Sequence, residues 1–431
     1  MRAILDLIAR HRSGAAGGMY SVCSAHPIAI EAALLHALRS GASMALIEAT
    51  SNQVNQDSGY TGMLPAAYRD FVHGIADRVG IAWSRVVLGG DHLGPNPWKT
   101  LPAGPAMGAA EKMVAAYVEA GFRKIHLDCS MPCAGDPGRL QDETIAQRSA
   151  SLCEVAEQAW TRAGGEPPVY VIGSEVPVPG GAAESLGEVA VTTPEAARTT
   201  IAVHREVFAA AGLGKAWRRV IAAVVQPGVE FDNWSVVDYD ARKTDALGRV
   251  LEEFPELVFE AHSTDYQTPE ALAQLVRDHF AILKVGPGVT FAVREALWAL
   301  DAIEREWIGA GRASRLREIA IERMKADPRH WSSYYPAGEA RLDIDLQYSL
   351  SDRIRYYWGQ RDIVAAQQRL FDNLTKDPPP SALVSQYLPA AFRATGSGRS
   401  RMTPISLVVE HVCGVLEDYS SACMPAGSAT R

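Results

Sequence analysis

The chain has 431 residues, a formal net charge of −8 and hydrophobic residues at 47% of positions. That is enough for one complete α/β barrel of about 250 residues with a further element left over. Lysine and arginine are spread without a dense basic stretch, which argues against nucleic acid as a partner, and no apolar run reaches the ~18 residues of a membrane span. The start, Met1-Arg2-Ala3-Ile4-Leu5-Asp6, lacks the apolar run and cleavage site of a signal peptide. A cytoplasmic protein acting on a small soluble partner is therefore expected.

Short apolar runs rich in Val, Ile and Leu lie at 19–23, 44–48, 85–89, 124–128, 169–174, 220–225, 257–261 and 281–285. Little polar alternation within them is the pattern of parallel strands buried on both faces. Helix-like segments intervene at 27–39, 65–79, 106–120, 142–162, 194–211, 240–253 and 269–279. Thr193-Pro194 and Thr268-Pro269 each place Pro in the first turn behind a capping hydroxyl. Eight such units in succession predict a closed TIM (β/α)8 barrel over residues 1–310 rather than an open sheet.

After the last strand, Lys284-Val285-Gly286-Pro287-Gly288-Val289-Thr290 feeds a helix over 291–308. A Gly-rich turn at a helix N-terminus after the eighth strand is a place where barrels hold phosphate, or simply a tight turn. Beyond 310 the strand-helix rhythm stops. Charged helical stretches at 315–325, 343–357 and 362–374 predict a helical extension, 311–431, packed on the barrel, with a frayed end at 422–431. Tyr356-Tyr357-Trp358 reads as core or as a subunit contact.

In a barrel of this kind the catalytic groups come from the C-terminal ends of the strands. Polar residues cluster there: Glu48, Asp91-His92, Asp128, Glu175, Gln226 and His262. Two imidazoles among carboxylates suit a divalent metal held by His92 and His262 with help from Glu175 or Asp128. A carboxylate ending an apolar run is costly to bury alone, so Glu175, Asp128 and Glu48 each require a cation or a base. Neighbouring strand residues face opposite ways, so Asp91 and His92 both serve the mouth only if the strand has ended and Gly89-Gly90 redirects the chain. Asp91 and Glu175 are the proton-transfer candidates. Glu48, Lys284, Gly286 and Gly288 are candidate substrate contacts, with the Gln226 amide placed to orient hydroxyls. The six cysteines form no CxxC pair and read as reduced thiols. Cys129 and Cys133 flank the mouth, as small packed residues or as a nucleophile or ligand.

Three blocks, Glu48-Ala49-Thr50-Ser51-Asn52-Gln53-Val54-Asn55-Gln56, Gly89-Gly90-Asp91-His92-Leu93-Gly94-Pro95-Asn96 and Lys124-Ile125-His126-Leu127-Asp128, resemble the Z-type (GatZ/KbaZ) subunit family of D-tagatose-1,6-bisphosphate aldolase. Arg353-Ile354-Arg355-Tyr356-Tyr357-Trp358 carries the resemblance into the extension, so that it covers most of the chain. It implies a TIM barrel similar to that of class II aldolases and a role beside a catalytic class II aldolase subunit, and an oligomer is expected. Some members of the family act alone as metal-dependent 4-epimerases of ketohexoses or their 6-phosphates. Compared with class II aldolases, Asp91-His92 resembles the catalytic Asp beside the first metal His, and His262 resembles the last one. Gln226 falls where the middle His would stand, and Glu175 then replaces it in a mixed His/carboxylate site for zinc, manganese or nickel. Asn52, inside the first block, joins the substrate contacts. Such proteins have also been described as tagatose-6-phosphate kinases, but the chain has no GxxxxGK(S/T) and no kinase signature set.

Overall fold

The computed structural model describes residues 1–15, 17–173, 189–335, 339–394 and 402–424. Eight parallel strands close a barrel: β1 (Met19–Cys23), β2 (Ala45–Thr50), β3 (Val86–Leu93), β4 (Lys124–Leu127), β5 (Val169–Gly173), β6 (Val220–Val224), β7 (Val258–Ala261) and β8 (Phe280–Val285). Each pairs with its sequence neighbours and β8 returns to β1, Met19 opposite Ile282. The TIM barrel expected from the eight apolar runs is thus the fold. Among the described residues no helix is long and apolar enough to cross a membrane.

The hydroxyl-Pro signals act as caps. Thr193 Oγ1 accepts the Ala196 amide at 3.2 Å and Thr268 Oγ1 the Ala271 amide at 3.2 Å, which satisfies one orphan donor of each first turn. Other expectations shift. Residues 240–253 form three short pieces, Ala241–Lys243, Asp245–Gly248 and Arg249–Glu252, instead of one helix. Helix Glu339–Tyr348 stops well short of 357, because Asp352 adopts a left-handed backbone (φ 46°) and begins the short turn Arg353–Tyr356. An additional helix, Arg2–Arg12, sends Ile4 and Ile8 among Met19, Leu46, Val87 and Ile282 and so plugs the end of the barrel where the strands begin.

The strand β3 runs on to Leu93 rather than ending at 89. Its register against β4 shifts between Gly90 and Leu93, and His92 sits at φ 48°, a left-handed conformation uncommon for a side-chain-bearing residue. The bulge turns the chain, so Asp91 and His92 both reach the mouth without the strand having ended. Gly94 follows in a space with no room for a methyl group: a Cβ there would lie 1.7 Å from the Asp128 carbonyl oxygen. Gly94→Ala is therefore expected to destabilise the fold by about 3 kcal/mol or more, readable as a lowered urea midpoint.

The extension wraps the barrel on two sides. Asp327, Arg329, His330, Arg355, Tyr356 and Trp358 form part of the wall around the mouth. Tyr357 and Trp358 are buried, whereas Tyr356 is half-buried at the cavity. The final helix, Pro404–Cys423, packs against helices Pro27–Arg39, Pro269–Arg277 and Pro287–Ile308. It is tied to the barrel by the Gly18 amide donating to the Cys423 carbonyl at 2.9 Å and by Tyr419 OH donating to the Thr264 carbonyl at 2.7 Å.

Candidate functional site

The mouth opens into a cavity of about 800 Å³ whose lining includes Asn52, Asp91, His92, Asp128, His262, Lys284 and Gly286. Beneath it the barrel interior carries charge where apolar filling is usual. In register across three strands stand Glu48, Gly89 and Lys124. Gly89 has no side chain because the Glu48 carboxylate occupies the place, its Oε1 2.5 Å from where a Cβ would be. Across that gap Lys124 Nζ reaches Glu48 Oε1 at 2.8 Å and Glu260 Oε2 at 2.7 Å, all three side chains fully buried. Lys284 pairs with the other oxygen of Glu48 and with Asp91 Oδ1 at 3.1 Å. Burial alone would raise Glu260, but Lys124 and His262 hold it well below the usual carboxylate range.

Above this layer three imidazoles meet. Ring centroids are 4.8 Å apart for His92 and His262, 4.9 Å for His92 and His126, and 5.3 Å for His126 and His262. Each ring has one nitrogen held by an oxygen: His92 Nδ1 lies 2.8 Å from Asp128 Oδ2, His126 Nε2 2.8 Å from the Gly173 carbonyl, and His262 Nε2 3.0 Å from Glu260 Oε1. Orienting acceptors of this kind accompany nearly every metal-ligating histidine. Asp91 closes the group, its Oδ1 3.0 Å from His126 Nδ1.

One ligand atom from each of Asp91, His92, His126 and His262 lies within 4.8 Å of the others. With bonds of about 2.0–2.1 Å to nitrogen, a small contraction brings this donor set around a single divalent cation. The electrostatics agree with the donor chemistry. Burial works against charge on His92, but Asp91 and the Asp128 hydrogen bond raise it to about 9, so the positive charge that a metal would bring to this ring is carried by a proton, which the metal would displace. Burial pushes His262 down to about 4, which leaves it the neutral imidazole that a ligand must be.

The predicted residues divide by position. Asp91, His92 and His262 come together as expected. Asp128 stands behind His92 as its hydrogen-bond acceptor and outside the four-donor group. Glu175 lies outside the described residues. Glu48 is beneath the cavity floor, bound to two lysines. Gln226 folds over its own turn, Oε1 accepting the Gly228 and Val229 amides at 2.8 and 3.1 Å. The Gly286 and Gly288 amides, read as phosphate donors, both donate to Asp265 Oδ1, at 2.9 and 2.7 Å. A side-chain carboxylate thus already holds that anion position. Cys129 and Cys133 are buried free thiols away from the donor group. Burial pushes the Cys23 thiol well up, so that it serves as a donor to Asp91 Oδ2 at 3.3 Å. His126 was not among the expected ligands, although strand alternation alone puts Lys124, His126 and Asp128 on one face of β4.

The family of D-tagatose-1,6-bisphosphate aldolase subunit GatZ/KbaZ-like proteins matches residues 4–424. The chain belongs to this family. A crystal structure of a probable tagatose 6 phosphate kinase from Sinorhizobium meliloti 1021 is 47% identical, covers 94% of this chain and 100% of its own, and superposes with a TM-score of 0.86. Fructose-bisphosphate aldolase from Campylobacter jejuni is 14% identical over 86% of this chain and 93% of its own, with a TM-score of 0.46. Fructuronate-tagaturonate epimerase UxaE from Cohnella laeviribosi is 11% identical over 94% of this chain and 81% of its own, at 0.49. For this GatZ/KbaZ-like chain, elemental analysis should find a divalent metal in the parent. Metal content should fall at least severalfold in each of His92→Ala, His126→Ala and His262→Ala; equal content in all four proteins would dismiss the centre.

Proposed function

We propose that the chain is a GatZ/KbaZ-type component of a D-tagatose-1,6-bisphosphate aldolase that retains a divalent-metal site working on the C3–C4 bond of a ketohexose phosphate. The observation that carries this is the group Asp91, His92, His126 and His262, three imidazoles each oriented by an oxygen and closed by a carboxylate at the strand ends. A metal held there by His92, His126 and His262 would supply Lewis-acid polarisation of the ketose oxygens.

The chain's own groups do the rest. His92 and Lys284, with the hydrogen bond to His126, keep Asp91 ionised despite its burial, and hold it well below the usual carboxylate range. In that form it can take the proton of the C4 hydroxyl. The C3–C4 bond then breaks, its electron pair moving towards C2 as an enediolate, and C4 leaves as an aldehyde. Re-forming the bond returns the proton to O4. If the aldehyde presents its other face first, C4 is inverted with no loss or gain of atoms.

That equivalence supports a second reading, an autonomous 4-epimerase interconverting fructose and tagatose forms. The specific observation in its favour is that all four donors come from one chain. Incubating the purified chain with tagatose 1,6-bisphosphate, fructose 6-phosphate or free tagatose, with and without Mn²⁺, Zn²⁺ or Ni²⁺, separates the two. Turnover by the chain alone supports the epimerase. Activity seen only as stimulation of an added class II aldolase chain supports the subunit. Neither result in any combination would reject both.

A further inference from the structure

Apart from His92 and His262 of the donor group, five residues with basic side chains line the cavity: Lys284, His26, Arg329, His330 and Arg355. Four are committed elsewhere. Lys284 is shared by Glu48 and Asp91. His26 accepts the Ile28 amide through Nδ1 at 3.3 Å, and burial pushes it down to about 4, so it carries no charge near neutrality. Arg329 turns to Asp327, with Nη2 2.6 Å from its carboxylate, on an exposed side chain. His330 stacks on Tyr356, centroids 4.9 Å apart and planes within 10°, and burial and Arg329 both lower its pKa.

Arg355 is different. Its Nη1 donates to the Ser351 and Asp352 carbonyls, the latter at 3.0 Å, and its Nη2 to the Tyr356 hydroxyl at 3.2 Å, with the guanidinium 4.7 Å from the Tyr356 ring centre. Among the described residues no carboxylate comes within ion-pair contact of it, although despite its burial Tyr356, Tyr60 and Asp352 stand near enough to raise its pKa, and neither Nε nor the second Nη2 proton has an acceptor there. A guanidinium carries five donors in a fixed fork, and this one is fixed at one end by backbone oxygens while the rest of the fork lines the cavity. The β8 turn below it is closed to anions, because Asp265 takes the amides of Gly286 and Gly288. A methyl group at Gly288 would lie 2.9 Å from Asp265 Oδ1, so the turn is built around that carboxylate.

We infer that Arg355 receives the terminal anionic group of the substrate, a phosphate ester or carboxylate at C6, while the ketose oxygens lie at the Asp91 and histidine group. The inference rests on the proposed function in naming the ketose as the remainder of the ligand. The anion charge is thus met by the extension and not by the barrel's last turn. A planar fork suits either anion in a bidentate contact, which a lysine's point charge does not reproduce.

Equilibrium binding to the full-length chain tests this without requiring turnover, so an inactive chain leaves the result readable. The probes are fructose 6-phosphate, fructuronate and free fructose, titrated calorimetrically against the parent, Arg355→Ala and Arg355→Lys at fixed metal concentration. In the parent at least one anionic ketose should bind about tenfold or more tightly than fructose. That ratio should approach one in Arg355→Ala and take an intermediate value in Arg355→Lys. Whichever anionic ketose shows the Arg355-dependent gain identifies the group at C6. A parent that binds all three alike overturns the inference. So does an Arg355→Ala protein that keeps the parent's ratio. Thermal melts of the variants report folding, and if Arg355→Ala melts out, Arg355→Lys carries the comparison.

Discussion

Asp91→Asn is expected to lower turnover by about 10²- to 10⁴-fold, the range for losing a positioned general base, with the metal retained by the three histidines and a melting temperature close to the parent's. The amide keeps the size of the carboxylate but cannot take the hydroxyl proton. Its neighbours also keep other partners: Lys284 still has Glu48, and His126 still has the Gly173 carbonyl. The loss should fall on kcat and kcat/KM together, the signature of an interaction made in the transition state. Steady-state kinetics beside elemental analysis checks it. If the parent is silent alone yet stimulates a class II aldolase chain, Asp91→Asn should leave that stimulation intact.

Lys124→Met should cost about 3–5 kcal/mol of folding stability, the usual penalty for removing one partner of a buried ion pair. Glu48 and Glu260 share this lysine with no solvent at any of the three side chains. After the change Glu48 retains its contact with Lys284, whereas Glu260 keeps only the His262 hydrogen bond and the more distant charge of Lys284. The pH dependence has a definite sign. Glu260 is held below its unfolded value, so its contribution is present above about pH 4.3 and is lost as pH falls towards the folded pKa. Urea titrations should therefore show the deficit of Lys124→Met at pH 7 narrowing below pH 4.

The barrel was legible because parallel strands buried on both faces leave continuous apolar runs, and eight of them in step with helices admit few arrangements. Asp91, His92 and His262 were legible because strand ends are where a barrel keeps its polar groups. The buried charge layer was not. Alternation puts Lys124 on the face of Asp128, but its partners Glu48 and Glu260 come from strands distant in the sequence, and only the register across Gly89 brings them together. His126 lies inside an apolar run, where a histidine looks like packing until the rings of His92 and His262 arrive from distant segments. The turn at Gly286 was recognised as an anion position, but its occupant, Asp265, comes from the preceding unit, a tertiary contact with no local sequence signal. Arg355 was quoted for resemblance alone, since nothing in a helical tail says that it returns to the mouth.

The last helix has a consequence for how the molecule is made. Pro404–Cys423 lies against the helices that follow β1 and β7, and Cys423 bonds to the residue just before β1. Synthesis runs from the N-terminus, and domains emerge and fold in that order. Here the flank where first and last strands meet stays uncovered until Pro404–Cys423, more than a hundred residues after the last strand, has left the ribosome. The apolar faces of helices Pro27–Arg39 and Pro269–Arg277 must wait for it, so the nascent barrel has a vulnerable seam that a chaperone or a protease would meet first.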